Sequence, residues 1–115
     1  MSQVRASHLL IKHSGSRRPA SWKDPDGNEI RARSRDQAVQ ILQTLRSQIS
    51  GPEDFANLAA QHSDCSSARN GGDLGPFGPG QMMKPFEDAT RALQIGEISG
   101  VVDTDSGVHI ILRTG

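Results

Sequence analysis

The chain has 115 residues and balances 13 basic against 13 acidic side chains, so its formal net charge is zero. A length of this order predicts one domain, residues 1–115, with a modest hydrophobic core. No apolar run approaches the roughly 20 residues that cross a bilayer, and no secretory signal is evident, so we expect no membrane partner. The expected location is cytoplasmic, with a nuclear location as the alternative. A single cysteine excludes an internal disulfide.

Basic side chains are concentrated at the N-terminal end of the chain. Residues 1–35 hold eight basic and three acidic side chains, whereas residues 36–115 hold five and ten. Such a distribution favours local capture of an anionic ligand. Duplex nucleic acid needs many phosphate contacts, and single strands need aromatic stacking platforms. With no tyrosine, three phenylalanines and one tryptophan, the chain is not expected to bind nucleic acid.

The first predicted element is a strand over VRASHLLIKH, residues 4–13, which is apolar along most of its length. His13, at the end of this strand, is expected to be solvated. Residues 14–33 are rich in Gly, Pro and charge, and DPDGN at residues 24–28 is a strong turn signal. We predict an exposed loop for this whole segment. Loops of this length in compact domains are typically functional or mobile.

Two helices are predicted next. The first begins at Ser34, which has capping-box spacing to Gln37. Its apolar residues recur at helical spacing and are predicted to face the core: Ala38, Ile41, Leu42, Leu45 and Ile49. A shorter helix is predicted over residues 53–63. Its inward-facing residues are Phe55, Leu58, Ala59 and, in a structural role at its end, His62.

The C-terminal half predicts shorter elements. Residues 64–81 mix glycine, proline and small polar residues, which indicates a tight helical turn and then a short extended segment. Pro85 is placed in the first turn of a third helix. Residues 98–103 and 108–113 are predicted to form an antiparallel hairpin around the turn TDSG. Strands at both ends, with helices between them, favour an α+β fold with a small, mostly antiparallel sheet.

A cationic cluster lies in the first predicted loop, formed by Lys12, Arg17 and Arg18. Arginine presents a planar fork that matches phosphate oxygens, and lysine adds a mobile point charge. The cluster by itself is consistent with either a site for a phosphate group or a solvated surface, because charged residues are mostly exposed.

A second candidate group combines Cys65 with His8 and His109. A cysteine beside a histidine can become a thiolate nucleophile. A lone cysteine is more often a small buried side chain, so the residue types alone leave both interpretations open. Neither His13 nor His62 stands at metal-ligand spacing from a second His or Cys, and the sequence implies no metal or other cofactor.

A third candidate group is the Gly/Pro-rich stretch GGDLGPFGPGQMMKPF, residues 71–86. Its apolar side chains are Leu74, Phe77, Met82, Met83 and Phe86. These residues either complete the core or line a shallow pocket for a small apolar ring, and a pocket needs convergent polar groups nearby.

Read in order, three blocks resemble the parvulin family of peptidyl-prolyl cis/trans isomerases: SHLLIKHSGSRRPASW, DFANLAAQHSDCSSARNGGDLGPFGPGQMMKPFEDA and TDSGVHIILRT. The resemblance covers nearly the entire chain. SRRP in the first loop indicates the branch that prefers phospho-Ser/Thr-Pro bonds, because other parvulins lack paired arginines. The resemblance implies a four-stranded antiparallel sheet flanked by four helices. It also implies a monomeric, stand-alone catalytic domain without a WW domain, acting on phosphorylated Ser/Thr-Pro segments of client proteins.

The resemblance further implies roles for individual residues. The phosphate-binding triad of the family matches Lys12, Arg17 and Arg18. Its proline pocket matches Leu74, Met82 and Phe86. The polar groups around the rotating bond match Cys65, His8, His109, Ser106 and Thr104.

Two features depart from the family pattern. Met83 stands where close relatives carry a polar glutamine, and extra residues lie around DPDGNE, residues 24–29. The expected activity is isomerisation of phospho-Ser/Thr-Pro bonds by non-covalent twisting of the amide. The alternatives are a phosphopeptide-binding module with weak catalysis and a foldase acting on unphosphorylated X-Pro bonds. A Cys-His thiol hydrolase would need an oxyanion hole and a third orienting residue, and the sequence indicates neither.

Overall fold

The computed structural model describes residues 3–115, and this part of the chain contains four strands, four α-helices and one short 3₁₀ helix. Their order is β1 (Val4–Ile11), α1 (Asn28–Ala32), α2 (Arg35–Ser47), α3 (Pro52–His62), the 3₁₀ helix (Ser66–Asn70), β2 (Asp73–Phe77), α4 (Lys84–Ala92), β3 (Val102–Thr104) and β4 (Gly107–Arg113). The predicted α+β class, with a four-stranded antiparallel sheet and four helices, is confirmed. No helix within residues 3–115 combines the length and the apolar character needed to span a membrane.

The sheet has the strand order β2-β1-β4-β3, and every neighbouring pair is antiparallel. In the central pair, His8 of β1 lies opposite Ile111 of β4, and Leu10 lies opposite His109. Alternate residues of a strand point to the same face, and opposite residues share a face. His8 and His109 are therefore diagonal neighbours on one face of the sheet.

The two faces of the sheet carry different cores. Helices α2 and α3 cover one face, and the larger cluster lies there, with Leu9, Leu42, Phe55 and Ile110 among its buried members. Helix α4 covers the other face, which carries a smaller cluster: Val4, Ala6, Phe77, Phe86 and Ile111. The diagonal histidines lie on this second face, so the smaller core leaves room beside them for a cavity.

The predicted capping box of α2 is confirmed. Ser34 Oγ accepts a hydrogen bond from the Gln37 N–H at 3.1 Å, and Gln37 Oε1 accepts one from the Ser34 N–H at 2.8 Å. The predicted inward residues of this helix are buried with one exception. Ile41 is 37% exposed, because it lies at the margin of the apolar stripe that packs on the sheet.

The prediction of an exposed loop over residues 14–33 is wrong for Asn28–Ala32, which form α1. The Asp24 carboxylate accepts hydrogen bonds from the first N–H groups of this helix, including that of Ile30 at 3.0 Å. Ile30 is 1% exposed and anchors the helix in the protein. The turn signal itself is confirmed, because Gly27 has a positive φ of 74° and donates to the Asp24 carbonyl at 3.0 Å. A helix of five residues is too short to give a periodic sequence signal.

The hairpin at the C-terminus is confirmed, but its first strand is shorter than the predicted 98–103. Strand β3 contains only Val102–Thr104. Ser99 lies beside β4, where its N–H donates to the Ile111 carbonyl at 2.8 Å. Ser99 Oγ, rather than a main-chain carbonyl, accepts from the Ile111 N–H at 2.9 Å. Because a side-chain oxygen takes the place of a main-chain carbonyl here, the hydrogen-bond ladder between β3 and β4 does not extend before Val102.

Candidate active site

An apolar cavity of about 210 Å³ opens on the face of the sheet that α4 covers. Its walls are His8, Leu10, Cys65, Leu74, Met82, Met83, Phe86, Ser106 and His109. The three residues predicted to form a proline pocket therefore lie in one cavity with four of the five predicted catalytic residues. Met83, where the family pattern has glutamine, contributes a thioether to this wall and makes the cavity more apolar.

The fifth predicted residue, Thr104, joins the site through His109. Thr104 Oγ1 lies 2.7 Å from His109 Nε2 and accepts a hydrogen bond from the Ser106 N–H at 3.2 Å. The tight β3–β4 turn produces this arrangement, since it places Thr104 and Ser106 directly beside the start of β4.

The two histidines contact each other through their Nδ1 atoms, which are 2.9 Å apart. One Nδ1 must carry the shared proton. Within residues 3–115, His8 Nε2 is buried and has no hydrogen-bond partner. An orphaned buried N–H is rarer than an orphaned acceptor. The favoured arrangement therefore has His8 donating from Nδ1 to His109, while His109 donates from Nε2 to Thr104.

Both rings are neutral at physiological pH. Burial lowers the pKa of His8 from its ordinary 6.5 to about 4. Burial also lowers the pKa of His109 from 6.5 to about 3, and repulsion from a charged His8 adds to that effect. Phe86 packs edge-on against both rings, at centroid distances of 5.4 and 5.3 Å. An imidazolium is thus strongly disfavoured beside the apolar cavity.

A second, basic cavity of about 500 Å³ adjoins the first. The two cavities share three lining residues, Leu10, Cys65 and Ser106. The basic cavity also contains Lys12 and Arg18. Arg17 is exposed and lines neither cavity, although its backbone N–H donates to the Asp105 carbonyl of the β3–β4 turn at 2.7 Å.

The cations of this region repel one another. The pKa of Lys12 is lowered, mainly because its ammonium is partly removed from water. The Asp64 carboxylate, which also lines the cavity, opposes this shift, and the charges of Arg18 and Arg17 add to it. Lys12 Nζ donates to the Ala20 carbonyl at 2.7 Å. Among residues 3–115, neither Arg17 nor Arg18 forms an ion pair with a carboxylate. An anion in the basic cavity would relieve this repulsion.

Sequence reasoning missed Asp64, although it directly precedes Cys65. Its side chain is 1% exposed, and its Oδ2 accepts from the Lys12 backbone N–H at 2.8 Å. Its Oδ1 accepts from Ser21 Oγ at 2.9 Å. Arg33 NH1 lies 3.6 Å from the same carboxylate. Asp64 therefore joins the end of β1, the basic loop and the end of α1 to the segment that carries Cys65.

Trp22 was also missed, because a lone tryptophan in a charged loop gives no periodic signal. Its side chain is 51% exposed and lines the basic cavity. Its indole N–H donates to the Ser63 carbonyl at 2.9 Å. The ring thus forms a fixed wall next to the cations.

The burial of His13 differs from the sequence prediction. The prediction that His13 is solvated is wrong, because this residue is 7% exposed and its ring folds back over the turn that follows it. No group of three His, Cys, Asp or Glu residues within residues 3–115 is arranged to hold a metal ion.

Comparison with known proteins agrees with this geometry. Residues 8–115 match the family described as "Rotamase: PPIC-type PPIASE domain". The chain is 68% identical over 114 residues to the peptidyl-prolyl cis-trans isomerase Pin1 of Digitalis lanata, covering 98% of this chain and 97% of that protein. It is 62% identical over 113 residues to the protein of the same name from Arabidopsis thaliana, covering 97% and 95%.

Solved structures share the fold. The solution structure of TbPIN1 superposes with a TM-score of 0.87 at 50% identity, covering 100% of both chains. The peptidyl-prolyl isomerase ESS1 from Candida albicans superposes with a TM-score of 0.91 at 53% identity, covering 98% of this chain and 63% of the other.

The Asp64 contacts predict a graded loss of stability. Asp64→Ala removes the acceptor of the partly buried Lys12 N–H and of the Ser21 hydroxyl, so we expect the free energy of unfolding in urea to fall by about 2 kcal/mol or more. Asp64→Asn keeps one acceptor oxygen, and the Ser21 hydroxyl can reverse its bond, so the loss should be smaller. The exposed control Asp88→Ala should change stability by less than about 0.5 kcal/mol. Equal effects of Asp64→Ala and Asp88→Ala would contradict the role of Asp64.

The lowered pKa values of the two histidines predict how stability depends on pH. As pH falls from 6.5 towards 4, His8 and His109 become protonated in the unfolded chain but stay neutral in the folded protein. The unfolding free energy should therefore decrease through this window. Ring NMR signals of His8 and His109 should remain those of neutral imidazole at pH 6. Titration of either ring above pH 6 in the folded protein would show that burial does not hold the pair neutral.

Proposed function

This chain belongs to the PPIC-type rotamase family and is a peptidyl-prolyl cis-trans isomerase, and we propose that its substrates are phosphorylated Ser/Thr-Pro segments of client proteins. One observation carries the proposal: a basic cavity and an apolar cavity share a wall formed by Leu10, Cys65 and Ser106. A phosphoresidue and the proline that follows it likewise present an anionic group next to an apolar ring.

The phosphate is assigned to the basic cavity. A phosphorylated side chain carries about −1.5 to −2 charges at pH 7 and three acceptor oxygens. Lys12 and Arg18 line the cavity, and Arg17 adds its charge from the adjacent backbone position. Arginine can bind two phosphate oxygens at once, which fixes the direction of the substrate as well as its charge. Two cations line the cavity and a third lies beside it, against one carboxylate, Asp64, so an anionic group is the fitting occupant.

The proline ring is assigned to the apolar cavity. Leu74, Met82 and Phe86 provide an apolar wall, and the volume of about 210 Å³ suits one small ring. Consecutive Cα atoms are about 3.8 Å apart across a trans peptide. Two cavities with a common wall can therefore hold consecutive residues without stretching the chain.

The reaction itself is rotation about the X-Pro bond. Amide resonance opposes twisting with a barrier of about 18–20 kcal/mol. A site accelerates rotation only if it binds the twisted amide better than either planar form. Anchoring the phosphate on one side and the ring on the other leaves rotation between them as the remaining freedom. The bond would lie against the shared wall, where Cys65 and Ser106 are located.

We assign Cys65 an electrostatic role rather than a covalent one. A thiolate paired with an imidazolium would require His8 or His109 to be charged, and burial disfavours that form in both. The histidines are also occupied with each other through their Nδ1 atoms. The sulfur of Cys65 in the shared wall can contact the twisting carbonyl without bond formation. The His8–His109–Thr104 chain would keep the floor of the site rigid and uncharged.

The phosphate assignment predicts a substrate-selective defect. In the double variant Arg17→Ala/Arg18→Ala, kcat/KM for a phospho-Ser-Pro peptide should fall by at least about 100-fold, since two charge-assisted hydrogen bonds of about 1.5–3 kcal/mol each are lost. Turnover of a matched Glu-Pro peptide should change little. A protease-coupled or NMR exchange assay measures both substrates.

The control for this experiment removes two charges elsewhere. Arg31→Ala/Arg46→Ala alters exposed arginines of α1 and α2 and should leave both substrates unaffected. Equal losses on the two peptides in the Arg17/Arg18 variant would refute the phosphate role. Equal wild-type turnover of phosphorylated and unphosphorylated peptides would instead favour a general foldase, and tight binding with negligible turnover would favour a binding module.

The assignment of Cys65 predicts partial activity without the sulfur. Cys65→Ser keeps a small polar group in the shared wall, so we expect kcat/KM to fall by less than about 100-fold. Removing a true covalent nucleophile in a hydrolase costs about 10⁶-fold in kcat. Complete loss of isomerisation in a Cys65→Ser protein with wild-type thermal stability would show that the sulfur attacks the carbonyl.

A further inference from the structure

His13 lies between β1 and the cationic loop, and its buried ring closes the turn that follows. The Gly15 N–H donates to His13 Nδ1 at 3.0 Å. The Ser16 N–H donates to the His13 carbonyl at 3.0 Å, and Ser16 Oγ accepts from the His13 N–H at 3.0 Å. A Cβ atom at Gly15 would lie 3.1 Å from the ring, so the Gly15 backbone packs closely against it.

These bonds determine where the imidazole carries its proton. A backbone N–H can only donate, so Nδ1 of His13 must be the bare acceptor and the proton must be on Nε2. Within residues 3–115, that Nε2 is buried and has no hydrogen-bond partner. An unsatisfied buried donor is costly, and a freely oriented ring would avoid it. In this orientation the ring accepts a hydrogen bond from the Gly15 N–H, and the unsatisfied Nε2–H accompanies that bond.

The turn connects directly to the phosphate-binding arginines. Arg17 follows Ser16, and its backbone N–H is held by the Asp105 carbonyl of the β3–β4 turn. On the other side, the Ser14 N–H donates to the Arg33 carbonyl at 2.8 Å. The turn is thus fixed at both ends, and the His13 ring determines its shape between them.

We infer that His13 is a positioning residue of the substrate site: its neutral Nδ1 shapes the turn of residues 13–16 that presents Arg17 and Arg18 to the substrate phosphate. The inference rests on the proposed phosphate role of the arginines. His13 itself touches no substrate. Its effect is to reduce the conformational freedom that the loop would lose when phosphate binds.

Burial of the ring favours the neutral form, and the charged groups around it act in both directions. Burial is the main cause that lowers the pKa of His13, and Arg35 and Arg33 contribute in the same direction. Asp103 on β3 opposes them, but this carboxylate is already paired with Arg35. A proton on Nδ1 would face the Gly15 N–H and break the bond that closes the turn.

Three substitutions of His13 test the hydrogen bond between its side chain and the Gly15 N–H. A side-chain acceptor bonded to the N–H two residues later is the geometry of an Asx-turn, which asparagine forms readily. The Asn Oδ1 is attached to Cγ, as is the Nδ1 of histidine, so His13→Asn should preserve the bond. His13→Gln places its acceptor one bond too far, and His13→Leu has none.

The experiment compares these three variants with wild type. For phospho-Ser-Pro peptides, His13→Leu and His13→Gln should raise KM by about three- to tenfold with little change in kcat, the effect of one lost hydrogen bond. His13→Asn should restore the wild-type KM, and the rise in KM for a Glu-Pro peptide should be smaller than that for the phosphopeptide in His13→Leu and His13→Gln. Thermal unfolding identifies any variant whose fold, rather than its loop, has failed.

A ligand-free measurement separates this inference from the proposed function. In free protein, the ring nitrogen NMR shifts of His13 should show a bare Nδ1, and the Gly15 amide should exchange slowly in wild type and His13→Asn but rapidly in His13→Leu. Unchanged exchange and unchanged amide shifts of residues 14–18 in His13→Leu would overturn the positioning role. If these changes occur but wild type shows no preference for phosphorylated peptides, His13 positions the loop and the phosphate proposal alone fails. A protonated Nδ1, or failure of His13→Asn to rescue a folded protein, would also overturn the inference.

Discussion

The buried Asp64 carboxylate holds together the parts of the candidate active site that lie far apart in the sequence. It accepts a hydrogen bond from the main-chain N–H of Lys12, directly after β1, and another from the hydroxyl of Ser21 in the basic loop. Its neighbour in sequence is Cys65, which lines both cavities. A buried carboxylate is stable only when such partners surround it. The position of the basic loop and the position of the Cys65 segment therefore depend on each other. The common wall between the two cavities depends on this junction.

The two histidines beside the apolar cavity are uncharged, in contrast to the buried carboxylate of Asp64. His8 and His109 satisfy each other and Thr104, and the pKa of each ring is lowered by burial. A positively charged cavity therefore lies beside a neutral, apolar one. In the proposed function, the basic cavity binds the phosphate through its charge, and the apolar cavity binds the proline ring through its shape. Rotation of an amide needs no proton transfer or bond cleavage, and a site without a charged histidine is consistent with that chemistry.

Several features could be predicted from the sequence because local signals carry them. The capping box at Ser34, the DPDGN turn and the C-terminal hairpin each follow from residues within a few positions of one another. The ordered motif blocks identified the family, seven of the nine residues that line the apolar cavity, and Lys12 and Arg18 of the basic cavity. The errors have a common origin in tertiary contacts. The helix α1 depends on burial of Ile30, the burial of His13 on the turn it folds over, and the shortened β3 on the Ser99 side chain.

The sequence by itself determined the residue types, the α+β class and the grouping of cations at one end of the chain, since composition and short-range periodicity encode them. Only the tertiary structure decided which of those residues meet. The register of β1 against β4 places His8 diagonal to His109, although 101 positions separate them. Long-range packing also placed Asp64 beneath the basic loop and held the imidazoles neutral. Burial and electrostatic environment are properties of the assembled fold, so no local stretch of sequence specifies them.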